Sequence, residues 1–345
     1  MKEKPGGKAL WALAGALAMG VLFIGAALLF LVLPEGRAKG QPPAARLPPL
    51  PASLTQYEKS MSFTLPEGLG ATDLAVGSMG LYVTCAAGYQ VWTFDGVGAP
   101  GGSAPAVVQS VQTSIRPWGL AVDADGTVYL GMDRRVEVHA ADGKLVREWA
   151  ELGRDARIQA VAVDAEYVYA SDGQEKTVYQ FTKQGRMVRR IGDKNDREGI
   201  PGFVVPGIHF DLLSTGSSGG RHLIVSNPGR HAVELFSPDG SLQYMWTRTG
   251  DDWEGFTGCC NPGSIAFLPA GPASATDLLF TAEKGIPRVK AYTLDGRLES
   301  VIEGPEDFLP NVVGIEIAVA RDGRVLILDP DRQEVRVFTR TRTAG

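Results

Sequence analysis

The chain has 345 residues, a formal charge of −5, 43 glycines, 22 prolines and three cysteines. An acidic balance argues against nucleic acid as a partner, which would call for a basic surface. Three cysteines are too few for a disulfide framework: one bridge at most, with a thiol left over.

The first eight residues carry Lys2, Lys4 and Lys8, and an uncharged run from Ala9 to Leu33 follows. A membrane-crossing helix needs about 20 apolar residues, whereas a secretory signal core has roughly 7–15 and ends in a small-residue cleavage site. Pro34-Glu-Gly-Arg37 comes next instead, so residues 9–33 read as a retained signal anchor. Arg37 and Lys39 make the positive-inside bias weak. The mass distribution then places residues 1–8 in the cytoplasm and everything after the anchor on the extracytoplasmic, periplasmic side of a cell membrane. Residues 34–56 include the proline-dense stretch Gln41–Pro51, which cannot form helix or central strand. They are expected to be a semi-extended spacer adding nothing to the domain at 57–341.

Six segments of that domain share a pattern, a valine followed three residues later by an aromatic or histidine. They are Val91-Trp-Thr-Phe94, Val136-Glu-Val-His139, Val178-Tyr-Gln-Phe181, Val233-Glu-Leu-Phe236, Val289-Lys-Ala-Tyr292 and Val335-Arg-Val-Phe338. Turns such as Asp142-Gly143 and Asp239-Gly240 follow, then another alternating run, and two short strands precede each valine. With Gly-Asp punctuation and no helical period, the domain reads as all-β. Four strands per unit of about 45 residues is the mark of propeller blades.

Pro117-Trp-Gly-Leu-Ala-Val-Asp-Ala-Asp-Gly-Thr-Val-Tyr-Leu130 and Tyr167-Val-Tyr-Ala-Ser-Asp-Gly173 resemble NHL repeats. The resemblance covers roughly residues 70–340 and implies a six-bladed β-propeller. It leaves function open, because this fold carries binding proteins, lyases and hydrolases. The last unit runs out of chain before an outer strand, so residues 60–65 are expected to supply it and close the ring.

Six residues before the repeat valines stand Cys85, Asp172, Asn227, Glu283 and Asp329, with Asp133 nearest in the second unit. A short polar side chain at a strand end commonly caps its own turn, which makes Cys85 and Glu283 the departures. Gly258-Cys259-Cys260-Asn261-Pro262-Gly263 is the second departure. Adjacent cysteines can form a vicinal disulfide, bridge to Cys85, or offer thiolates to a soft metal. Cys85, Cys259, Cys260, Glu283 and His231 are therefore the redox or metal candidates, with a divalent or soft metal ion as the cofactor they would suit. Lys284 and Arg288 are expected to lower the thiol pKa there.

Asp73 and Glu316 start inner strands, and His209 stands where other inner strands carry alanine. With Asp172, Asn227 and Asp329 they are candidates for the central funnel. The long loops before the last three units are acidic, with Asp251, Asp252, Trp253, Phe256 and Phe308 among them. Aromatics beside carboxylates there read as a partner-docking rim. GxSxG, HExxH, P-loop and dinucleotide fingerprints are absent. Two functions follow: a membrane-anchored module binding a protein or small ligand on its top face, serving for instance a membrane redox system, or an enzyme or metal site in the funnel.

Overall fold

The computed structural model describes residues 47–94, 105–207, 209–217 and 220–341. The anchor expected at 9–33 and the spacer up to residue 46 lie outside the described residues. Among the described residues no helix is long and apolar enough to cross a membrane.

Among the described residues the first strand is β1 (Tyr57–Thr64), and the strands form six four-stranded antiparallel sheets. Blade 1 is β2 (Leu74–Gly77), β3 (Gly80–Cys85), β4 (Gly88–Trp92) and β5 (Val107–Gln112). Blade 2 is β6 (Gly119–Val122), β7 (Val128–Met132), β8 (Arg135–His139) and β9 (Leu145–Glu148). Blade 3 is β10 (Ile158–Val163), β11 (Tyr167–Asp172), β12 (Thr177–Thr182) and β13 (Met187–Ile191). Blade 4 is β14 (Leu212–Ser217), β15 (Gly220–Asn227), β16 (Ala232–Phe236) and β17 (Leu242–Thr247). Blade 5 is β18 (Ser264–Leu268), β19 (Leu278–Glu283), β20 (Arg288–Thr293) and β21 (Leu298–Glu303). Blade 6 is β22 (Glu316–Val319), β23 (Val325–Asp329) and β24 (Glu334–Arg340), with β1 as its outer strand.

The first strands of the blades touch in cyclic order, β2 to β6, β10, β14, β18, β22 and back to β2. They line a central channel, and the molecule is a six-bladed propeller. Its core follows from this geometry: the described residues form six hydrophobic clusters, one between each pair of neighbouring blades. The middle strands β3, β7, β19 and β23 are buried along their whole length, as strands covered on both faces must be. The repeat valines Val91, Val178, Val233, Val289 and Val335 are fully enclosed.

The punctuation has a backbone reason. Gly143 sits at φ +84, where a side chain is disfavoured, and its N–H closes a turn onto Ala140 O. The glycines of Gln184-Gly185, Asp239-Gly240 and Asp295-Gly296 adopt the same turn.

Closure joins the chain ends. β1 pairs with β24 from Tyr57 opposite Arg340 to Thr64 opposite Glu334. The strand starts three residues ahead of the 60–65 segment expected from the sequence, because Gln56 O accepts from Thr341 N at 2.8 Å and prolongs the ladder.

Residues 47–56 are not a free spacer. Pro48 O accepts from the Trp253 indole at 2.7 Å, and Leu54 O accepts from Ser300 Oγ at 2.8 Å. Gln56 Nε2 donates to Glu299 O at 2.9 Å, and Arg340 Nη2 donates to Gln56 Oε1 at 2.6 Å. This strap lies across blades 5 and 6. Proline denies the segment a ladder of its own, but its carbonyls remain good acceptors, and the propeller supplies the donors.

Candidate functional site at the channel neck

One residue per blade forms the channel neck, the residue paired with the penultimate position of the blade's second strand. These are Asp73 opposite Thr84, Gly119 opposite Gly131, Ala160 opposite Ser171, Asp211 opposite Ser226, Ser264 opposite Ala282 and Glu316 opposite Leu328. Three of the six are acidic, and the two from blades 2 and 3, Gly119 and Ala160, are bare. Gly119 has to be bare: a Cβ there would lie 2.6 Å from Ala160 Cα.

The two aspartates work alike. Asp73 accepts from Leu74 N and from Leu120 N of blade 2, both at 2.7 Å. Asp211 accepts from Leu212 N at 2.8 Å and from Ile265 N of blade 5 at 2.7 Å. Each carboxylate therefore ties its own inner strand to the next blade's. Ser264 Oγ accepts from Ile317 N at 3.3 Å, and its hydroxyl favours the charged forms of both neighbouring carboxyls, Asp211 and Glu316.

Burial in the channel raises all three carboxyls. Asp73 and Glu316 are held well above the usual carboxylate range, first by desolvation and then by the charges of their acidic neighbours. Asp211 rises to about 6, again by burial, against the pull of its backbone bonds. A hydroxyl has one proton to give. Ser264 can therefore donate to Asp211 or to Glu316, and not to both at once.

On one side of the neck is a cavity of about 160 Å³, lined by Trp118, Gln159, His209, Val313 and the three acids. On the other, a second cavity of about 210 Å³ is walled mainly by inner-strand apolar residues such as Ala75, Val122 and Ala162. Asp73 and Asp211 border both. Burial, helped by the Lys284 ammonium, lowers His209 to about 4, so its ring is neutral at pH 7. Its Nε2 is buried without a hydrogen-bond partner.

The structure thus brings Asp73, Glu316 and His209 together and adds Asp211 and Ser264, which sequence reasoning missed. His209 does not occupy the alanine position of blade 4. That position is Leu213, and Asp211 is the match to Asp73. The repeated pair Asp73-Leu74 and Asp211-Leu212 was the available signal.

The strand-end candidates lie elsewhere. Asp172 Oδ1 accepts from Arg157 N, Gln174 N and Glu175 N. Asn227 accepts from Val204 N and donates to Gly202 O and to Glu234. Asp329 accepts from Asp331 N and Arg332 N and pairs with Arg336 at 3.0 Å. All three are buried and fasten turns and the loops leading into their blades, so they are not funnel groups.

Glu283 is likewise consumed. It pairs with Arg288 at 2.7 Å and Lys290 at 2.6 Å, all three side chains being fully buried. These donors also hold a loop by its carbonyls. Arg288 binds Asp252 O and Gly255 O, Lys290 binds Trp253 O and Gly255 O, and the Tyr292 hydroxyl binds Glu254 O. Residues 288, 290 and 292 reach one loop because alternate side chains of β20 share a face. Burial pulls Lys290 down to about 8, against the attraction of Glu283.

The shared sulfur site is not formed. Among the described residues no group of three His, Cys, Asp or Glu side chains is placed to hold a metal ion. All three cysteines are unbridged, with Cys85 and Cys260 buried and Cys259 exposed. Burial raises Cys260 rather than lowering it, and the neighbouring Cys259 thiol adds to this against the weaker pull of Lys284. Arg288, committed to Glu283, does not serve the thiols. His231 caps a short 3-10 turn and bonds Thr249 Oγ1 at 3.1 Å.

The aromatic rim is also corrected. Trp253, Phe256 and Phe308 are buried at 8%, 0% and 5% exposure. Phe256 packs on Trp246 and Tyr292, and Phe308 lies under the Arg336 guanidinium at 4.6 Å. They anchor their loops from below, leaving Asp251, Asp252 and Glu254 of one loop and Glu306 and Asp307 of the other exposed.

No protein-family model matches the chain, and no curated protein matches it by sequence. Solved structures do match in fold. The virginiamycin B lyase of Staphylococcus aureus is 12% identical with a TM-score of 0.50, over 83% of this chain and all of that one. A streptogramin B lyase is 11% identical with a TM-score of 0.52, over 84% and 100% of the two chains. A protein of unknown function from Bacteroides thetaiotaomicron is 14% identical with a TM-score of 0.53, over 82% of this chain and 75% of its own. At such identities the likeness is one of fold alone.

Proposed function

We propose that this protein is a membrane-anchored binding module of divergent NHL-type repeats, held on the extracytoplasmic side by residues 9–33. Its channel neck takes a positively charged group, from a small amine or guanidine ligand or from a basic side chain of a partner protein. The observation that supports this is that Asp73, Asp211 and Glu316 all line one cavity, at a neck where Gly119 and Ala160 leave room. An arriving cation replaces protons that these carboxyls otherwise hold, and the low-dielectric surroundings strengthen the attraction. Trp118 and Gln159, on the wall of the same cavity, offer a π-face and an amide to the ligand body.

The test is calorimetry with small primary amines and guanidines against their neutral amide isosteres, run in two buffers of different ionisation enthalpy. Binding of the cationic set with release of protons is expected, and Glu316→Gln should weaken it about tenfold, the equivalent of 1.4 kcal/mol. Equal binding of the neutral isosteres, or no buffer dependence, would sink the reading.

One observation favours a second reading, an acid–base enzyme. Neutral His209 with an unpartnered Nε2 and Asp211 near 6 face the same cavity, a pairing suited to proton transfer near neutral pH. Turnover lost on His209→Gln with ligand affinity retained would select it.

A further inference from the structure

We propose that Cys259 and Cys260 form a vicinal dithiol site that closes to a disulfide by exchange with a small-molecule disulfide. The inference stands on the loop leading into blade 5 and does not depend on the channel reading.

In an extended chain neighbouring side chains point to opposite sides. Here Gly258 at φ +66 and Cys260 at φ +71 fold the backbone, and the Cys259 thiol acts directly on that of Cys260. The loop is pinned at both ends. Asn261, fully buried, donates from Nδ2 to Thr257 O and to Lys284 O and accepts from Lys284 N at 3.0 Å. Thr257 N donates to Glu283 Oε2 at 3.3 Å. The two sulfurs are therefore presented together by a fixed frame, so ring closure loses little chain freedom.

Their exposures differ, which gives each a role. Cys259 is open to solvent and Cys260 is 5% exposed. An incoming disulfide meets the Cys259 thiolate first, forming a mixed disulfide and expelling one reagent thiolate. Cys260 sulfur then attacks Cys259 Sγ, releasing the second reagent half, which takes up the Cys260 proton. The protein loses two thiol hydrogens, and the reagent is reduced to two thiols. The resolving step is intramolecular, so a mixed disulfide should not accumulate. Cys85, buried in β3, serves as the internal control.

Full-length protein treated with oxidised glutathione should lose two free thiols, keep one, and gain no glutathione mass. Cys260→Ser should hold a stable adduct on Cys259, and Cys259→Ser should react far more slowly. If either variant fails to fold, rapid alkylation of the wild type at early times provides the readout, with the transient adduct expected on the peptide carrying Cys259. A stable adduct on the wild type, reaction at Cys85 first, or no loss of thiols would overturn the proposal.

Discussion

Glu316→Gln keeps a partner for Ser264 while removing a carboxyl that burial and the charges of Asp73 and Asp211 hold well above its ordinary range. A raised carboxyl stabilises the fold fully below its unfolded pKa, and that contribution is lost as pH rises toward its folded value. The wild type should therefore fall behind the variant as pH climbs from about 4.3, the ordinary glutamate value, to 8. Melting curves of the two proteins across that range check it, and a constant gap would refute the raised neck carboxyl. Asp211 adds a change of the same sign, ending near pH 6. Glu283→Gln behaves differently, because it leaves the buried charges of Arg288 and Lys290 uncompensated. Denaturant unfolding should show a loss of about 3–5 kcal/mol, the usual cost of orphaning a buried charge. At this scale the sequence was half legible. Asp73 and Glu316 stand at regular strand starts, whereas Asp211 follows an irregular loop in which His209 drew the register to itself. Glu283 looked functional because a charge at a strand end is visible in one dimension and its two cationic partners are not.

Among the elements, the strap and β1 carry the next expectation. A chain beginning at Tyr57 should melt below one beginning at Leu47. Without the strap, the Trp253 indole, Ser300 Oγ and Arg340 lose partners provided by Pro48, Leu54 and Gln56, at about 0.5–1.5 kcal/mol per hydrogen bond. Equal melting temperatures would mean that the strap rests on the propeller without holding it. Asp251→Lys should leave the melting temperature unchanged, since that carboxylate is exposed, whereas Asp252→Lys removes the acceptor of Gly255 N and should lower it. The proline run read as a spacer because proline excludes regular structure, and nothing local reveals that its carbonyls find donors about 200 residues away. The loop aromatics misled for a related reason: composition shows that a loop has a tryptophan, and only packing shows which way it faces.

For the whole molecule, repetition made the fold readable. A single weak pattern seen six times fixes the blade count, and the missing last strand points to closure. The neck stayed obscure because it takes one residue from each blade, and those six are of five kinds: Asp, Gly, Ala, Asp, Ser and Glu. The proposed anchor is tested by fractionation. Full-length protein should stay with membranes through alkaline carbonate extraction, and residues 47–345 should not. Recovery of both in the soluble fraction would remove the membrane from the proposed function.

The strap has a mechanical consequence. Any load applied from the N-terminal side arrives at Pro48 before it reaches the ring. The contacts at Trp253, Ser300 and Glu299 lie in series along the strap, so they break in succession, as in peeling, before tension falls on the pairing of Tyr57 with Arg340. Once there, tension opens β1 from β24 rung by rung from that end. The strap therefore behaves as a fuse in series with the clasp, yielding under force while the propeller stays closed.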